Sequence, residues 1–372
     1  MNNKKKLLIF EPLSNIAGGQ MVLINLLPFL VREFSVTVVL PKAGPLRDRL
    51  TALGIKSIII NPGSYSLVKK NIFQVLKYLF YLPVFLIRSS LLIKNFDVIY
   101  VNGARLLPAV VGADFLFRRP IIWHSHSLIS DQKSLYLVEL AARWRIVKKI
   151  IAVSNFIVSN NEKLRNKTLV LYNGVDLDRF KPGRKYSSSK SVSIVTIGDL
   201  IPTKGQDMLI RALAAARGDY LLKIVGSARS GRRPYELSLH DLVKTLSLDN
   251  KIEFWGQRDD IPDILSNADL LVLPATVPEA CPMVVLEAMA GGVPVIASDL
   301  GGTREIVKDG YVGYLFRANN EIDLTRKLDQ FFGLDKAAIS EMKINCRREA
   351  ESRYNLENNA NKIILAIKEL LN

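Results

Sequence analysis

Short runs of β-branched residues alternate with longer helical runs along the whole chain, and this alternation constrains the fold more than any other feature of the sequence. It is typical of parallel sheets that carry helices on both faces. Seven strands are predicted in the first half, over residues 6–10, 35–40, 57–60, 97–101, 121–124, 150–153 and 168–172. We therefore expect a doubly wound α/β domain in this half.

The alternation restarts after residues 185–193, KYSSSKSVS, a polar and serine-rich stretch with the composition of a linker. Five further strands are predicted, over residues 194–198, 221–225, 251–254, 270–273 and 294–297. A chain of 372 residues is long enough for two domains of ordinary size. The sequence thus predicts two doubly wound domains, with ligands in a cleft where the carboxyl ends of their strands face each other.

Cysteine usage indicates a reducing compartment. The two cysteines, Cys281 and Cys346, lie far apart and outside any C-x-x-C spacing, which argues against both a disulfide framework and a cysteine zinc site. Near the N-terminus, the apolar stretch at residues 7–10 is too short for the core of a signal peptide. We interpret this stretch as the first buried strand.

The net charge of +16 comes entirely from the first half of the chain. Residues 1–172 hold 24 Lys and Arg against 8 Asp and Glu, whereas residues 173–372 hold 27 of each kind. Such asymmetry predicts an anionic partner for the first half: nucleic acid, a phosphorylated substrate or a membrane surface with acidic lipids. Because no helix-turn-helix, RRM or zinc-finger pattern is present, we expect no nucleic-acid binding.

Residues 72–93, IFQVLKYLFYLPVFLIRSSLLI, are apolar on nearly all sides of a helix. Lys77, Pro83 and Arg88 interrupt the segment, and the uninterrupted apolar core at residues 78–87 is too short to cross a bilayer. Two interpretations remain: a pair of buried helices, or one surface helix in the membrane interface with its basic ends on lipid headgroups. The charge excess of the same half favours the second interpretation.

The glycine pair Gly18 and Gly19, in SNIAGGQ, follows the first predicted strand and precedes a helical pattern. Backbone N–H groups at such a helix start can approach an anion or a sugar closely. A simple tight turn would need the same glycines.

His124 and His126, in IIWHSHS, lie at the end of a predicted strand and share one of its faces. Metal binding or one catalytic imidazole is compatible with this position, as is a histidine with a purely structural hydrogen bond. No third histidine or cysteine lies nearby in the sequence, which argues against zinc. The position at the mouth of the expected cleft favours a functional histidine.

In the second half, the motif TIGDLIPTKGQDM places Gly198 in a turn and Lys204 at the entry of a helix. A lysine beside a helix N-terminus makes a diphosphate site, because the ammonium supplies a full charge and the helix supplies aligned N–H donors. The Walker spacing is absent. An exposed lysine at a helix start is the simpler alternative.

Two carboxylates, Glu279 and Glu287, bracket seven uncharged residues in PEACPMVVLEAMAGG. We expect a helix from about Met283, with the amides of residues 281–284 forming a second anion site at its N-terminus. Glu287 would accept two hydrogen bonds from the vicinal diol of a ribose, and Glu279 would face the group that the phosphate carries. Alternatively, both acids serve only the helix macrodipole.

Taken together, these motifs resemble those of the GT4 family of retaining glycosyltransferases, which have the GT-B fold, and the resemblance covers nearly the full chain. Its most specific element is the E-x7-E signature, matched by Glu279 and Glu287 and followed by GGVPVIASDLGGTREIV. The segment NGVDLDRFKP at residues 173–182 is similar to the family's interdomain segment, and IEFWGQRDDIPDILSNADLLVLP is similar to its base-binding region.

The resemblance implies the fold class α/β, with two Rossmann-like doubly wound domains that face each other across a cleft. An acceptor-binding domain would cover residues 1–180, and a nucleotide-sugar-binding domain would cover residues 181–352. Residues 353–372, whose periodicity is helical from about Leu356, would form a helix that crosses back to the first domain.

The activity implied by the resemblance is transfer of a hexosyl unit, with retention, from a nucleotide-diphosphate sugar to a hydroxyl of a lipid-linked saccharide in surface polysaccharide or lipopolysaccharide synthesis. UDP-sugars are favoured as donors over GDP-mannose, and neither a metal nor another cofactor is expected. His126, Lys204 and Glu279 would be catalytic. The donor would contact Gly18, Gly19, Gly198, Lys204, Phe254, Arg258, Glu279, Cys281, Pro282, Met283, Val284 and Glu287. The protein would work in the cytoplasm, at the acidic inner face of the cytoplasmic membrane.

The sequence departs from the family pattern at two positions. Asp199 stands where the family usually has arginine, so one of the two cations facing the diphosphate is missing. An arginine of the loop SARSGRRP could replace it; the candidates are Arg229, Arg232 and Arg233. Gln20 replaces a frequent acid. Two rival functions therefore stay open: a nucleotide-sugar epimerase of GT-B type, and a non-catalytic partner subunit, which Asp199 makes more plausible.

Overall fold

The computed structural model describes residues 4–63, 72–129, 131–159, 162–183, 191–228 and 233–371. The chain divides into two compact units. The first comprises Met1–Gly174 together with Leu356–Asn372, and the second comprises Val175–Asn355. Most of the predicted linker, residues 185–190, lies outside the described residues.

The first unit is built on a seven-stranded parallel sheet with the strand order β3-β2-β1-β4-β5-β6-β7. Its strands are β1 (Lys6–Phe10), β2 (Ser35–Leu40), β3 (Lys56–Ile59), β4 (Val98–Asn102), β5 (Ile121–Ser125), β6 (Val147–Ala152) and β7 (Thr168–Val170). All seven overlap predicted strands, and the central strands β4 and β5 are buried along their whole length.

Helices cover both faces of the first sheet. They are α1 (Gly18–Glu33), α2 (Pro45–Ala52), α3 (Ile72–Ile93), α4 (Leu107–Ala113), α5 (Gln132–Arg143) and α6 (Asn155–Ser159), with a 3₁₀ turn at Glu162–Lys167. The segment at residues 72–93 is a single helix that contains Pro83, so the interpretation as a pair of helices is wrong. None of the helices in the described part of the chain combines the length and apolar composition that crossing a bilayer requires.

The second unit has a six-stranded parallel sheet with the order β10-β9-β8-β11-β12-β13. Its strands are β8 (Val192–Ile197), β9 (Tyr220–Val225), β10 (Ile252–Gly256), β11 (Leu270–Leu273), β12 (Val295–Ser298) and β13 (Gly313–Phe316). Its helices are α7 (Gln206–Ala215), α8 (Arg233–Thr245), α9 (Ile261–Ser266), α10 (Met283–Ala290), α11 (Thr303–Ile306), α12 (Glu321–Phe332) and α13 (Lys336–Arg353), with a 3₁₀ turn at Pro202–Lys204.

The last helix, α14 (Leu356–Lys368), belongs to the first unit although it follows the second in sequence. It packs on α1, and its buried residues Ala360, Ile363, Ile364 and Ile367 join the core beneath that helix. Lys368 pairs with Glu33 at 2.6 Å. The first unit therefore needs residues from both ends of the chain.

The strand order of each sheet reverses once, between β1 and β4 in the first unit and between β8 and β11 in the second. Crossover helices on either side of such a point lie on opposite faces of the sheet, which leaves a crevice at the carboxyl ends of the two strands. Ligands of open α/β sheets bind in this crevice. Each unit thus has one position where its topology favours a site.

Candidate active site

In the second unit, the segments that follow β8 and β11 bring Lys204 and Glu279 together at the reversal of strand order. Lys204 Nζ lies 2.7 Å from Glu279 Oε1, and the side chains are 26% and 24% exposed. The two residues predicted for the diphosphate and for the transferred sugar are thus direct neighbours. An anion that approaches Lys204 must share it with Glu279 or displace that carboxylate.

Gly205 allows the segment after β8 to pack against the segment after β11. Its φ is +70°, and a Cβ atom at this position would lie 2.0 Å from the carbonyl oxygen of Pro274. The amide of Thr276 donates to the carbonyl of Thr203 at 3.0 Å. Only glycine fits both the left-handed backbone and the close approach, and this packing fixes the position of Lys204.

The backbone of Glu279 is held by the glycine pair of the GGT sequence at residues 301–303. The amide of Gly302 donates to the Glu279 carbonyl at 2.8 Å. Gly301 has φ +56°, and a Cβ atom there would lie 2.6 Å from the same carbonyl oxygen. The segment after β12 therefore positions the carboxylate that precedes α10.

The N-terminus of α10 presents fewer amides than the sequence predicts. The helix begins at Met283 with Pro282 as its N-cap, and proline has no N–H group. Cys281 is buried before the helix. The prediction of four amides at residues 281–284 is thus wrong for Pro282, and the first turn contributes the amides of Met283 and Val284, which have no acceptor within a helix.

Glu287 lies in the second turn of α10, and the first turn contains no acid, which argues against a role in neutralising the helix dipole. Burial raises the pKa of Glu287 to about 7, against a smaller opposing effect of Arg179. Within the described ranges, no hydrogen bond or ion pair is found for its carboxylate. A half-buried carboxylate with open acceptor positions suits a pair of hydroxyl groups.

The residues predicted near the base lie at the far side of the sheet, on and after its edge strand β10. Phe254 stacks on the His240 ring with 3.8 Å between ring centroids. Arg258 binds the Asp260 carboxylate through two contacts of 2.8 and 2.5 Å. Both side chains are therefore held by contacts within the protein. A nucleotide base that binds near them would meet side chains whose positions are already fixed.

Gly198 follows β8, and a Cβ atom at this position would lie 3.6 Å from Cε of Lys204. The carbonyl of Asp199 accepts a hydrogen bond from the Gln206 side chain at 3.1 Å. Among the arginines predicted to compensate for Asp199, Arg233 is the first residue of α8. Arg229 and Arg232 lie outside the described residues.

In the first unit, a polar network occupies the point where the strand order reverses. Glu11 follows β1, and its carboxylate accepts hydrogen bonds from Asn102 Nδ2 at 2.5 Å, Gln20 Nε2 at 2.8 Å and the amide of Leu13 at 2.8 Å. Asn102 ends β4, and its Oδ1 lies 2.6 Å from Nε2 of His126. Asn102 thus links the buried acid to the predicted catalytic histidine.

The network determines which nitrogen of His126 carries the proton. Because Asn102 donates its amide hydrogen to Glu11, its oxygen faces His126 and accepts from Nε2–H. Burial lowers the pKa of His126 to about 4, so the ring is neutral at pH 7. Nδ1 is then a bare acceptor, and it is buried without a partner among the described residues.

The two predicted glycines differ in their surroundings. A Cβ atom on Gly19 would lie 3.7 Å from Cγ of His126, whereas one on Gly18 would meet no atom within 4 Å. The start of α1 therefore lies against the His126 ring. Gln20, which replaces the family acid, is buried and donates to Glu11, so it supports the network and carries no exposed acceptor.

His124 belongs to the protein core. It is buried, and its Nδ1 forms a short hydrogen bond with the hydroxyl of buried Tyr100. Burial and the neighbouring His126 lower the pKa of His124 well below its ordinary value. Its ring lies 3.9 Å from that of His126 between centroids, so the pair shares one face, as predicted, while only His126 extends past the strand.

Sequence reasoning missed Glu11 and Asn102. Burial raises the pKa of Glu11 to about 7 even though Asn102, Leu13, Gln20 and Arg105 all act to lower it. Each missed residue stands at the carboxyl end of a predicted strand, next to the expected crevice, and this position was the available signal. In the described part of the chain, no three His, Cys, Asp or Glu side chains are grouped as metal ligands.

Two family models match the chain in succession. The model for glycosyltransferase family 4 matches residues 16–179, and the model for glycosyl transferases group 1 matches residues 179–353. An uncharacterized glycosyltransferase of Methanocaldococcus jannaschii is 33% identical over 183 residues, which are 48% of this chain and 48% of that protein. The match thus spans about half the length of this relative.

Other matches cover nearly the whole chain. The UDP-Gal:alpha-D-GlcNAc-diphosphoundecaprenol alpha-1,3-galactosyltransferase of Escherichia coli is 24% identical over 401 residues, which cover 97% of this chain and 96% of the relative. HepE of Anabaena, solved with UDP, has a TM-score of 0.85 at 24% identity, with 98% of this chain and 100% of HepE covered; it was also solved with UDP-glucose. This likeness shows the fold and confirms the predicted class, two Rossmann-like domains of GT-B type.

Proposed function

Because the chain belongs to glycosyltransferase family 4, we propose that it transfers a hexosyl unit from a UDP-sugar, with retention and without a metal, to a hydroxyl of a lipid-linked saccharide. The observation that carries this proposal is the arrangement of Lys204, Glu279 and Glu287 around one crevice of the second unit. GDP-mannose is the second candidate donor.

The second unit supplies the groups that a departing nucleoside diphosphate needs. Negative charge develops on the diphosphate as the glycosidic bond breaks, and preorganised positive groups lower that barrier. Lys204 and the amides of Met283 and Val284 are such groups. Glu287 would hold the ribose diol, and Glu279 would bind hydroxyls of the transferred sugar once Lys204 turns to the phosphate.

In the first unit, His126 would act as a neutral hydrogen-bonding group on the transferred sugar. Its low pKa means that it holds no second proton to donate at pH 7. Nδ1 is the free acceptor of the ring, because Nε2–H is already used by Asn102. Since Nδ1 is buried in the free protein, a sugar hydroxyl would reach it only after the groups that cover it move aside. The Gly19 backbone beside the ring would leave room for that sugar.

The acceptor and the location rest on the relatives. The E. coli relative is named for transfer to a sugar on diphosphoundecaprenol, and a similar lipid-linked acceptor would place this chain at the inner face of the cytoplasmic membrane. The net charge of +16 supports contact with acidic lipids there. The full-length match to a transferase favours transfer over epimerisation.

Thermal unfolding with nucleotides tests the donor site. We expect one class of nucleotide sugar, without added metal, to raise the melting temperature, because a ligand present at 100 times its Kd stabilises the folded state by about 2.7 kcal/mol. Glu287→Ala and Lys204→Ala should each reduce the shift strongly. Glu341→Ala, which removes an exposed acid on α13, should leave the shift unchanged.

The opposite result has a clear meaning. If no UDP-, GDP-, ADP- or TDP-sugar shifts the melting temperature, the chain does not bind a donor, and the non-catalytic partner subunit becomes the better interpretation. Retention is tested separately, by the anomeric configuration of the product in NMR spectra once an acceptor is turned over.

A further inference from the structure

The exposed apolar side chains of the described residues are concentrated on one part of the first unit. Of eighteen large exposed hydrophobic residues, twelve lie between residues 76 and 144. They are Leu76, Phe80, Val84, Ile87 and Leu91 on α3, Phe115, Leu116 and Phe117 after α4, and Tyr136, Leu137, Leu140 and Trp144 on and after α5. Single exposed hydrophobic residues are normal, whereas a large contiguous patch marks an interaction site.

On α3 the exposed residues form one stripe. Their spacing places all five within an arc of about 80° around the helix axis. Phe85, Ser89 and Ile93 are buried on the opposite side, where Phe85 and Ile93 belong to the core beneath the sheet. The helix therefore uses one face for the fold and leaves an equally apolar face outside.

Exposed apolar residues also lie after α4 and on and after α5. Helix α4 packs against both α3 and α5, so the three helices lie side by side on one face of the sheet. The Phe115 ring lies 6.2 Å from that of Trp144 between centroids, which joins the segment after α4 to the end of α5. We name this surface, formed by the twelve residues above, the α3–α5 face.

Positive charge borders the α3–α5 face. Residues 72–149 contain eleven Lys and Arg against four Asp and Glu, a net charge of +7. Among the described side chains of this span, the exposed cations are Arg88, Lys94, Arg118, Lys133, Arg143, Arg145 and Lys148. Two copies of such a face would repel each other, whereas acidic lipid headgroups would attract the cations while the acyl region receives the apolar side chains.

We propose that the α3–α5 face rests in the interface of a bilayer rich in acidic lipids and fixes the first unit on the membrane. The inference deepens the proposed function, since a lipid-linked acceptor would be met at that surface, but its evidence is independent of the donor site. Phe80 and Leu116, which are 75% and 76% exposed, would enter the bilayer interface.

Flotation with lipid vesicles tests the proposal. We expect the protein to float with phosphatidylglycerol-containing vesicles, to bind pure phosphatidylcholine at least tenfold more weakly, and to lose affinity for acidic vesicles as salt rises. Phe80→Ser combined with Leu116→Ser should weaken binding to acidic vesicles at least tenfold. Ile322→Ser, which removes an 82% exposed residue of the second unit, should bind like the unmodified protein.

Fluorescence gives a second readout at the face itself. Trp144 is 46% exposed, and its emission should shift to shorter wavelength on acidic vesicles. The shift should vanish in Trp144→Phe, although Trp123 and Trp255 remain.

Nucleotide-induced thermal shifts on the same variants separate this inference from the proposed function. The serine variants should keep the shift, which also shows that they are folded. Vesicle binding without any nucleotide shift would support the face and contradict the donor site. Absence of vesicle binding, or a dimer that Phe80→Ser dissociates in the absence of lipid, would overturn the proposal.

Discussion

Glu11 sets the tautomer of His126 because Asn102 joins the two side chains. Both faces of the Asn102 amide are used: its nitrogen donates to Glu11 Oε2, and its oxygen accepts from His126 Nε2–H. Glu11 Oε1 is already occupied by the amide of Leu13 and by Gln20. A proton added to Oε2 would then face the NH2 group of Asn102, so that two donors would meet. The amide of Asn102 would therefore have to turn over.

The substitution Glu11→Gln makes this dependence measurable. We expect the new NH2 group to face Asn102, to turn its amide, and to leave His126 with the proton on Nδ1 instead of Nε2. The loss of the Nδ1 acceptor should lower kcat by roughly tenfold to a hundredfold, which corresponds to about 1.4 kcal/mol of activation free energy for each factor of ten. UDP affinity should stay unchanged, because His126 would contact the transferred sugar. ¹⁵N shifts of the labelled histidines, three in the chain, report the tautomer.

The unmodified protein should show the same change with pH. Burial raises the pKa of Glu11 to about 7 from 4.5, so the protonated carboxyl of Glu11 predominates below pH 7. This neutral carboxyl should turn the Asn102 amide over, as the glutamine does. Because the folded pKa lies above the unfolded one, the stability associated with Glu11 is complete below pH 4.5 and decreases as pH rises through 7.

The charged groups around Glu11 define the controls. Arg105 opposes the rise in pKa, and both neighbouring histidines are neutral near pH 7. Glu139→Gln, on α5 of the same unit, should leave the His126 shifts as they are. A His126 tautomer that stays the same in Glu11→Gln and across pH 5 to 8 would show that Asn102 does not couple the two residues.

At the scale of elements, strands were predictable wherever β-branched residues form a continuous run. The missed strand is β13, which opens with Gly313 in place of a β-branched residue. A Cβ atom on Gly313 would lie 1.8 Å from the carbonyl oxygen of Val295 on β12, so a close approach between strands requires the residue that weakens the sequence signal. The start of α10 was placed correctly, at Met283.

The candidate site was predictable in part for a related reason. The E-x7-E motif is local, so the sequence alone indicates that Glu279 and Glu287 flank one helix start. Glu11 and Asn102 are 91 residues apart and meet only because β1 pairs with β4. Strand order depends on packing of the whole sheet, which one sequence does not reveal without an alignment.

The junction between the 3₁₀ turn and α7 gives a prediction about stability. Gly205→Ala should destabilise the second unit by about 3 kcal/mol or more, because strain from a positive φ adds to overlap with the Pro274 carbonyl. Gly310→Ala is the matched control: its φ is +76°, but no atom lies within 4 Å of a Cβ there, so only about 1–2 kcal/mol should be lost.

Urea unfolding followed by Trp255 fluorescence, in a Trp123→Phe, Trp144→Phe background, measures both variants in the second unit. If Gly205→Ala lowers the free energy of unfolding by no more than Gly310→Ala does, the backbone after β11 can move away from the added Cβ atom. Gly205 would then not fix the position of Lys204. A larger loss for Gly205→Ala, accompanied by weaker nucleotide binding, is the result we expect from the packing of Thr203 on Thr276.

At the scale of the whole molecule, the chain passes from the first unit to the second after Gly174 and returns after Asn355. The return is anchored by contacts of α14 and of Glu369, the residue that follows it. Asn359 donates to the Tyr172 carbonyl at 3.0 Å, and Lys149 pairs with Glu369 at 3.0 Å. The first unit consequently cannot complete its core until the second has been synthesised, which makes the C-terminal helix a late step of its folding.

This dependence predicts which unit responds to changes in α14. Ile367 is fully buried against the core of the first unit, whereas Leu365 is 59% exposed on the same helix. Ile367→Ala should cost the first unit about 2–5 kcal/mol, as is typical of such truncations in a core, and Leu365→Ala should change its stability by less than about 0.5 kcal/mol. Urea unfolding in a Trp255→Phe background reports the first unit through Trp123 and Trp144, and a Trp123→Phe, Trp144→Phe background reports the second. An effect of Ile367→Ala confined to the second unit's transition would show that α14 does not stabilise the unit on which it packs.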